Sequence, residues 1–293
     1  MPKLGFIGLG IMGLPMATNL MQKGNPLPVV GFDPVEERRR LFGMAGGTPA
    51  HSVKDVCAVC DIIFLCLPRN DLVESTVIEI SNESPAGTIV VDMGSTSAAL
   101  IRKLHGLAGE KGVSLLDSPV SGGETGAIAG SLVIMSGGEK DVFDKVEPLL
   151  SRMGKTVTYM GGSGNGSAAK IVNNMIVGIH LAALGEAFCF AQKAGLDLPT
   201  LHDAIKDGFA GSNVMEIKAS RLISRDYSAS ARTAVHQKDL CNAKALAEHL
   251  GVEIPLSMTV LDYMNQLEVM GKIDEDHCAV ARIYERDMGL YQN

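Results

Sequence analysis

Lys170 and Asn174, four residues apart, are the pair in this sequence best placed to move a proton. They lie in Gly166-Ser167-Ala168-Ala169-Lys170-Ile171-Val172-Asn173-Asn174, at the opening of a long apolar stretch. In a helix, residues four apart share a face. An ammonium desolvated beside Ala169 and Ile171 would have its pKa lowered from about 10.4, making it a usable proton donor and acceptor. A surface lysine near a capping-region asparagine fits the same letters, and periodicity alone does not separate the two readings. A second segment, Asp117-Ser118-Pro119-Val120-Ser121-Gly122-Gly123, sets a hydroxyl and two glycines just after an apolar run. Small residues at Ser121, Gly122 and Gly123 would expose backbone N–H groups able to grip a carboxylate.

Near the amino terminus the chemistry is phosphate binding. The run Leu4–Ile7 leads directly into Gly8-Leu9-Gly10-Ile11-Met12-Gly13, and a helix-prone segment follows. G-x-G-x-x-G between a strand and a helix is the setting in which this pattern signifies dinucleotide binding. Gly8 permits the tight turn, Gly10 lets a pyrophosphate approach the backbone beside Ile11 and Met12, and Gly13 lets helix and strand pack closely. The helix start then offers N–H groups and the positive end of its dipole. Asp33 lies twenty residues beyond Gly13 at the end of the next apolar run. Its carboxylate would accept hydrogen bonds from the adenosine ribose and repel a 2′-phosphate, which favours NAD over NADP. One of Arg38, Arg39 and Arg40 could reach a 2′-phosphate, but a solvated helix face beside Glu36 and Glu37 is the simpler reading. Leu67-Pro68 and Ser95-Thr96 follow two later strands, where open α/β sheets bind ligands. A turn and a helix cap would also explain Ser95 and Thr96.

These groups need a frame. From Leu4 to Tyr159, short apolar runs alternate with helix-like segments such as Pro15–Lys23 and Ala98–Lys111. Strands are predicted at Leu4–Ile7, Val29–Phe32, Ile62–Leu67, Thr88–Asp92, Val113–Asp117, Leu132–Ser136 and Thr156–Tyr159. Continuous apolar runs suit strands covered on both faces, so a Rossmann-type doubly wound α/β domain is expected over residues 1–163. The turn-rich stretch Gly161–Gly166 marks a boundary. An all-α domain is expected over 164–293, opening with a long helix from about 167 to 194 that Gly195 stops. Pro199 and Pro255 suit early helix positions, and Gly251 and Gly271 suit helix ends.

The 293 residues carry 26 basic and 33 acidic side chains, a net charge of −7. Such a surface disfavours nucleic acid and anionic membranes as partners, so an anionic small substrate must be drawn by local cations. Gly5, Gly8, Gly10 and Gly13 interrupt the amino-terminal apolar run, which argues against a signal helix. No unbroken apolar stretch approaches the roughly 20 residues of a membrane span. The six scattered cysteines read as buried thiols of a reducing cytoplasm, and the pair Cys57 and Cys60 lacks a second pair or histidine motif to make it a metal site. No histidine pair has metal-ligand spacing, and no metal is expected.

Four ordered motifs carry a resemblance over nearly the whole chain. Gly5–Gly13 with Pro15-Met16-Ala17, Asp117-x-Pro119-Val120-Ser121-Gly122-Gly123, the Lys170/Asn174 helix and Lys238-Asp239-Leu240 together resemble the β-hydroxyacid dehydrogenase family. The resemblance implies an NAD-dependent oxidoreductase that interconverts a small β-hydroxy acid and its semialdehyde. It makes Lys170 the general acid and base, with Asn174 orienting the reacting oxygen and Ser121, Gly122 and Gly123 holding the substrate carboxylate. Lys238 would close on substrate and cofactor, Asp239 would support structure or orient Lys238, and a homodimer or homotetramer would form through the helices. Two places depart from the family pattern: Asp92-Met93-Gly94-Ser95-Thr96-Ser97-Ala98, and Ser230–Gln237, where an aromatic residue and an aspartate are usual. Arg232 in the second could pair with a further carboxylate or sulfonate of the substrate, or be a plain surface arginine. Ser212 could bind a substrate hydroxyl or cap a helix. Alternatives within reach are a sulfonated or dicarboxylic semialdehyde as substrate, an imine reductase, and a non-catalytic NAD-binding scaffold. The histidines, including His180, read as packing residues.

Overall fold

The structure, a computed structural model, describes residues 2–290. By internal packing the chain divides into two compact units, one running up to Lys170 and the other from Ile171 onward.

The first unit alternates strand and helix. Its elements are β1 (Leu4–Ile7), α1 (Gly13–Gln22), β2 (Val29–Phe32), α2 (Glu36–Met44), β3 (Thr48–Pro49), α3 (Val53–Cys57), β4 (Ile62–Leu65), α4 (Asn70–Glu83), β5 (Ile89–Asp92), α5 (Ala98–Gly109) and β6 (Ser114–Asp117). β7 (Val120–Ser121), α6 (Gly123–Ala129), β8 (Leu132–Ser136), α7 (Lys140–Leu150) and β9 (Gly154–Tyr159) follow. Six strands form one parallel sheet in the order β3-β2-β1-β4-β5-β6, the doubly wound order whose direction reverses beside β1. Every residue of β1, β4 and β5 is buried. Side chains along a strand alternate between faces, so these strands feed two cores. Phe6, Phe64 and Val91 join α1 and α7 on one face. Ile7, Ile63 and Val90 join α3, α4 and α5 on the other.

Two features depart from the sequence reading. Leu132–Ser136 and the last strand, which begins at Gly154, lie in a separate three-stranded sheet, β7-β8-β9, rather than extending the large one. β3 and β7, each two residues long, carry too few side chains to show a period. β1 and β2 keep their expected bounds, while three strands are trimmed at their ends, with Ile62–Leu65, Ile89–Asp92 and Ser114–Asp117 as the paired residues.

The second unit is helical among its described residues, apart from one isolated bridge between Arg232 and Asp276. It comprises most of α8 (Asn165–Lys193) with α9 (Leu198–Ile205), α10 (Asn213–Ser224), α11 (Thr233–Leu250), α12 (Pro255–Val269), a 3₁₀ turn (His277–Val280) and α13 (Ala281–Asp287). α9 and α12 carry a proline in their first turn, and Gly251 ends α11 in the left-handed conformation. α8 passes the length and composition test for a membrane span, with an 18-residue window of mean hydropathy 1.5. Half of that window is buried, however, and Leu181, Leu184 and Phe188 are core residues packed with Met215, Leu240 and Met264. The helix also carries Asn173, Asn174 and His180, which is why no unbroken apolar run marks it in the sequence.

Candidate active site

The carboxyl ends of β1, β2, β4 and β5 gather the phosphate-binding motif and its neighbours. Gly8 sits at φ 94°, and a Cβ there would lie 2.4 Å from the carbonyl oxygen of Cys66. At Gly13 a Cβ would fall 1.8 Å from the oxygen of Gly8, so any side chain would force helix from strand. Leu67, which leads into Pro68, packs its side chain toward Gly8. α1 begins with no side-chain cap and no acid in its first turn. Ile11 at the loop tip is 69% exposed, and the nearest atom to a Cβ on Gly10 would be the Arg38 guanidinium at 3.7 Å. An uncapped helix start under an open glycine loop fits the pyrophosphate of a dinucleotide.

Asp33 is buried, and its carboxylate turns inward. Oδ2 accepts the backbone N–H of Leu9 at 2.9 Å and Oδ1 that of Val35 at 2.9 Å. Arg38 approaches the same carboxylate at 3.3 Å, while Arg39 donates to the Asp33 carbonyl at 2.6 Å. Arg38 and Arg40 are exposed, as expected of a solvated helix face, and Arg40 pairs with Glu37 at 2.7 Å. Asp33 therefore holds the glycine loop in place, a role additional to the ribose contact expected of it. After β5, Thr96 donates to Asp92 Oδ2 at 2.5 Å, and the cap of α5 is Ser97 rather than Ser95 or Thr96.

Asp117, at the end of β6, does what its sequence context did not announce. Oδ1 accepts Gly164 N–H at 2.9 Å and Oδ2 accepts Ser167 N–H at 2.6 Å, so one buried carboxylate fastens the start of α8. Desolvation pushes the Asp117 pKa up, opposed by those two backbone donors. Gly166 packs against the carbonyls of Asp117 and Met135, too close for a Cβ. The same segment then runs through Ser121 into Gly122 and Gly123, both at positive φ (139° and 62°), and opens α6. Lys170, half-buried, follows Ser167 by one turn of α8.

In the second unit, Asn174 sits beyond two turns of α8 and is no capping residue. Its Nδ2 donates to Asp239 Oδ2 at 2.5 Å, and its Oδ1 accepts Asn173 Nδ2 at 2.9 Å. A carboxylate can only accept, so the amide orientation is fixed, with the nitrogen toward Asp239. Asp239 also faces Lys238, whose Nζ lies 3.4 Å from Oδ1. It thus supports Asn174 as well as Lys238, a contact the motif Lys238-Asp239 did not suggest. His236, expected as packing, contacts the main chain of Asn174 (Nε2···O 2.8 Å). Residues 236 and 239 are three apart, hence on one face of α11, but that spacing names no partner on α8. Ser212 caps α10, its Oγ accepting Met215 N–H at 3.1 Å. Arg232 precedes α11, is exposed, and lies 3.6 Å from Asp274. Neither is drawn into the Asn174–Asp239–Lys238 cluster.

Among the described residues no group of three or more histidine, cysteine, aspartate or glutamate side chains is arranged to hold a metal. Cys57 and Cys60 are buried thiols. Desolvation pushes Cys60 up to about 12.

Comparison with known proteins matches both halves of the chain. Residues 3–161 match the family described as the NAD binding domain of 6-phosphogluconate dehydrogenase. Residues 164–284 match the NAD-binding region of NADP-dependent 3-hydroxyisobutyrate dehydrogenase. The chain is 37% identical to 2-hydroxy-3-oxopropionate reductase of Escherichia coli, covering 97% of each chain. It is 36% identical to 2-(hydroxymethyl)glutarate dehydrogenase of Eubacterium barkeri, over 98% of this chain and 96% of that protein. Among solved structures, Mycobacterium tuberculosis 3-hydroxyisobutyrate dehydrogenase with L-serine superposes with a TM-score of 0.88 at 29% identity, over 97% of this chain and 99% of that one. With its doubly wound sheet, its glycine loop and an all-helical second unit, the chain belongs to the β-hydroxyacid dehydrogenase family of NAD(P)-dependent oxidoreductases.

Proposed function

We propose that this enzyme reduces a small carboxylate-bearing semialdehyde to its β-hydroxy acid, and catalyses the reverse, with Lys170 as general acid and base. The bound nicotinamide supplies or accepts the hydride. In reduction Lys170 donates a proton to the carbonyl oxygen as that oxygen gains charge, and in oxidation it takes the hydroxyl proton. Asn174, with one N–H committed to Asp239, directs its second N–H at the same oxygen. Ser121 and the backbone N–H groups around Gly122 and Gly123 hold the carboxylate, and Lys238 adds a cation for substrate and cofactor. The observation that carries this reading is the fixed Asn174 amide, held by a buried carboxylate one turn beyond Lys170 on α8.

Gly8, Gly10, Ile11, Met12 and Gly13 receive the pyrophosphate, with Asp33, Leu67, Pro68, Ser95 and Thr96 lining the cofactor's path. The Asp33 carboxylate keeps NAD as the preferred cofactor, with Arg38 the residue that would moderate the preference. We take residues 1–163 as the dinucleotide-binding domain and 164–293 as the helical domain, supported by the change of family match between residues 161 and 164. Val172, Ile176 and Phe190, exposed along α8, support a homodimer or homotetramer formed through that helix. The thiol-only cysteines support a cytoplasmic location.

Arg232 pairs at the surface with Asp274 and Ser212 caps α10, so the proposal commits neither to a second anionic group on the substrate. Tartronate semialdehyde (2-hydroxy-3-oxopropionate), the substrate named for the 37% identical relative, is accordingly the first to test. Oxidation of NADH and NADPH should be followed with tartronate, methylmalonate and succinate semialdehydes, 2-formylglutarate, sulfolactaldehyde and a cyclic imine. Turnover with a monocarboxylate semialdehyde is expected. Activity with the imine alone, or with none of the panel, overturns the proposal.

A further inference from the structure

α11 grips Asn174 at two points. Asp239 takes its side-chain amide, and three residues earlier on the same face His236 reaches its main-chain oxygen. In a helix that oxygen already accepts the N–H of residue 178, so the imidazole occupies its second lone pair. Residue 178 is glycine, and a Cβ there would lie 3.2 Å from His236 Nε2, so the missing side chain lets the ring sit without giving way. His236 is in turn held by His277, with the two Nδ1 atoms 3.0 Å apart. Both histidines are well buried.

We propose that His236 is a positioning residue for the reaction: it fixes the backbone of Asn174 while Asp239 fixes its amide, so the N–H that meets the substrate oxygen is preset. This rests on the role given to Asn174 above. Hydrogen-bond chemistry makes the clamp independent of the pair's charge. A carbonyl can only accept, so Nε2 of His236 carries a proton. With His236 neutral, its bare Nδ1 accepts from Nδ1–H of His277. With His236 charged, Nδ1–H donates to a bare Nδ1 of His277, whose Nε2–H then points at Asp276 Oδ1, 4.0 Å away. In both states the bond to Asn174 is kept. Burial and the neighbouring charges of His236 and Lys218 push the His277 pKa down to about 3, so His277 itself stays neutral near pH 7.

The test combines spectroscopy with a mutant cycle. In the intact wild-type protein, ¹⁵N chemical shifts of labelled histidine should report a protonated Nε2 on His236, and an unprotonated Nε2 overturns the proposal. His236→Leu, which removes the donor, should lower kcat roughly ten- to a hundredfold with KM for the semialdehyde and Kd for NADH little changed. His236→Gln, whose amide can donate to the same oxygen, should recover most of that loss. In an Asn174→Ala background His236→Leu should cost almost nothing further, because both act through one group. If Asn174→Ala leaves kcat intact, the role of Asn174 fails. If Asn174→Ala lowers kcat but the two losses multiply, or Gln rescues nothing, the inference about His236 fails alone.

Discussion

Acid should loosen the second unit through His277. Its pKa is lowered from 6.5 to about 3, first by burial, then by His236 and Lys218. The sign follows from proton counting: between pH 6.5 and pH 3 the unfolded chain binds a proton that the folded chain refuses. The stability is therefore whole above pH 6.5 and is lost as pH falls. Each unit of pKa difference is worth about 1.4 kcal/mol, so at pH 4.5 the loss from this one group is about 3 kcal/mol, an order-of-magnitude figure. A domain has only about 5–15 kcal/mol to lose. Asp276 does not confuse the window. Its pKa is depressed below the carboxylate range, against its burial, by bonds from Lys218 and Ser230, and its contribution is lost only below about pH 3.8. Asp117, whose pKa is raised, works in the opposite sense, favouring the folded state as pH falls, and does so equally with or without His277. Urea unfolding of wild type and His277→Gln should be followed at pH 7.0 and 4.5 by far-ultraviolet circular dichroism, since the chain has no tryptophan. Wild type should lose about 3 kcal/mol more than the variant on acidification. Equal losses would refute the reasoning, because the histidine would then titrate alike in both states.

Two further perturbations address the other anchors. Asp117→Ala strips the acceptors from Gly164 and Ser167, and two orphaned buried donors should lower stability by roughly 2–5 kcal/mol, read as a shift in the urea midpoint. A loss under about 1 kcal/mol would mean water replaces the carboxylate. Asp33→Ser should weaken NADH binding by about tenfold and shift the preference toward NADPH, measured by calorimetry with each cofactor, because it removes both the loop anchor and the negative charge. An unchanged ratio of affinities would take selectivity away from Asp33.

What could be read from the sequence was what is local. The run Leu4–Ile7 into Gly8–Gly13 announces strand, turn and helix within ten residues, because the turn and the tight helix–strand packing leave their mark as glycines. The buried strands β1, β4 and β5 announce themselves by unbroken apolar runs. Partnership is another matter. Nothing in Leu132–Ser136 says that it pairs with Gly154–Tyr159 in a second sheet, since an apolar run specifies burial and not its neighbour. The contacts that shape the candidate site join residues far apart in sequence: Asp117 with Ser167, Asn174 with Asp239, and Asn174 with His236. Each is a hydrogen bond between one side chain and one distant group, with no periodicity to betray it. Lys170 and Asn174 could be paired by helical spacing alone. The carboxylates and the histidine that hold their helix in place could not.

The central claim is that Lys170 moves the proton, and single-turnover reduction of tartronate semialdehyde by enzyme saturated with NADH tests it most directly. Lys170→Ala should slow the loss of NADH absorbance by about 10²–10⁴-fold while Kd for NADH stays within about threefold of wild type. A variant that reduces the semialdehyde at the wild-type rate would contradict the account.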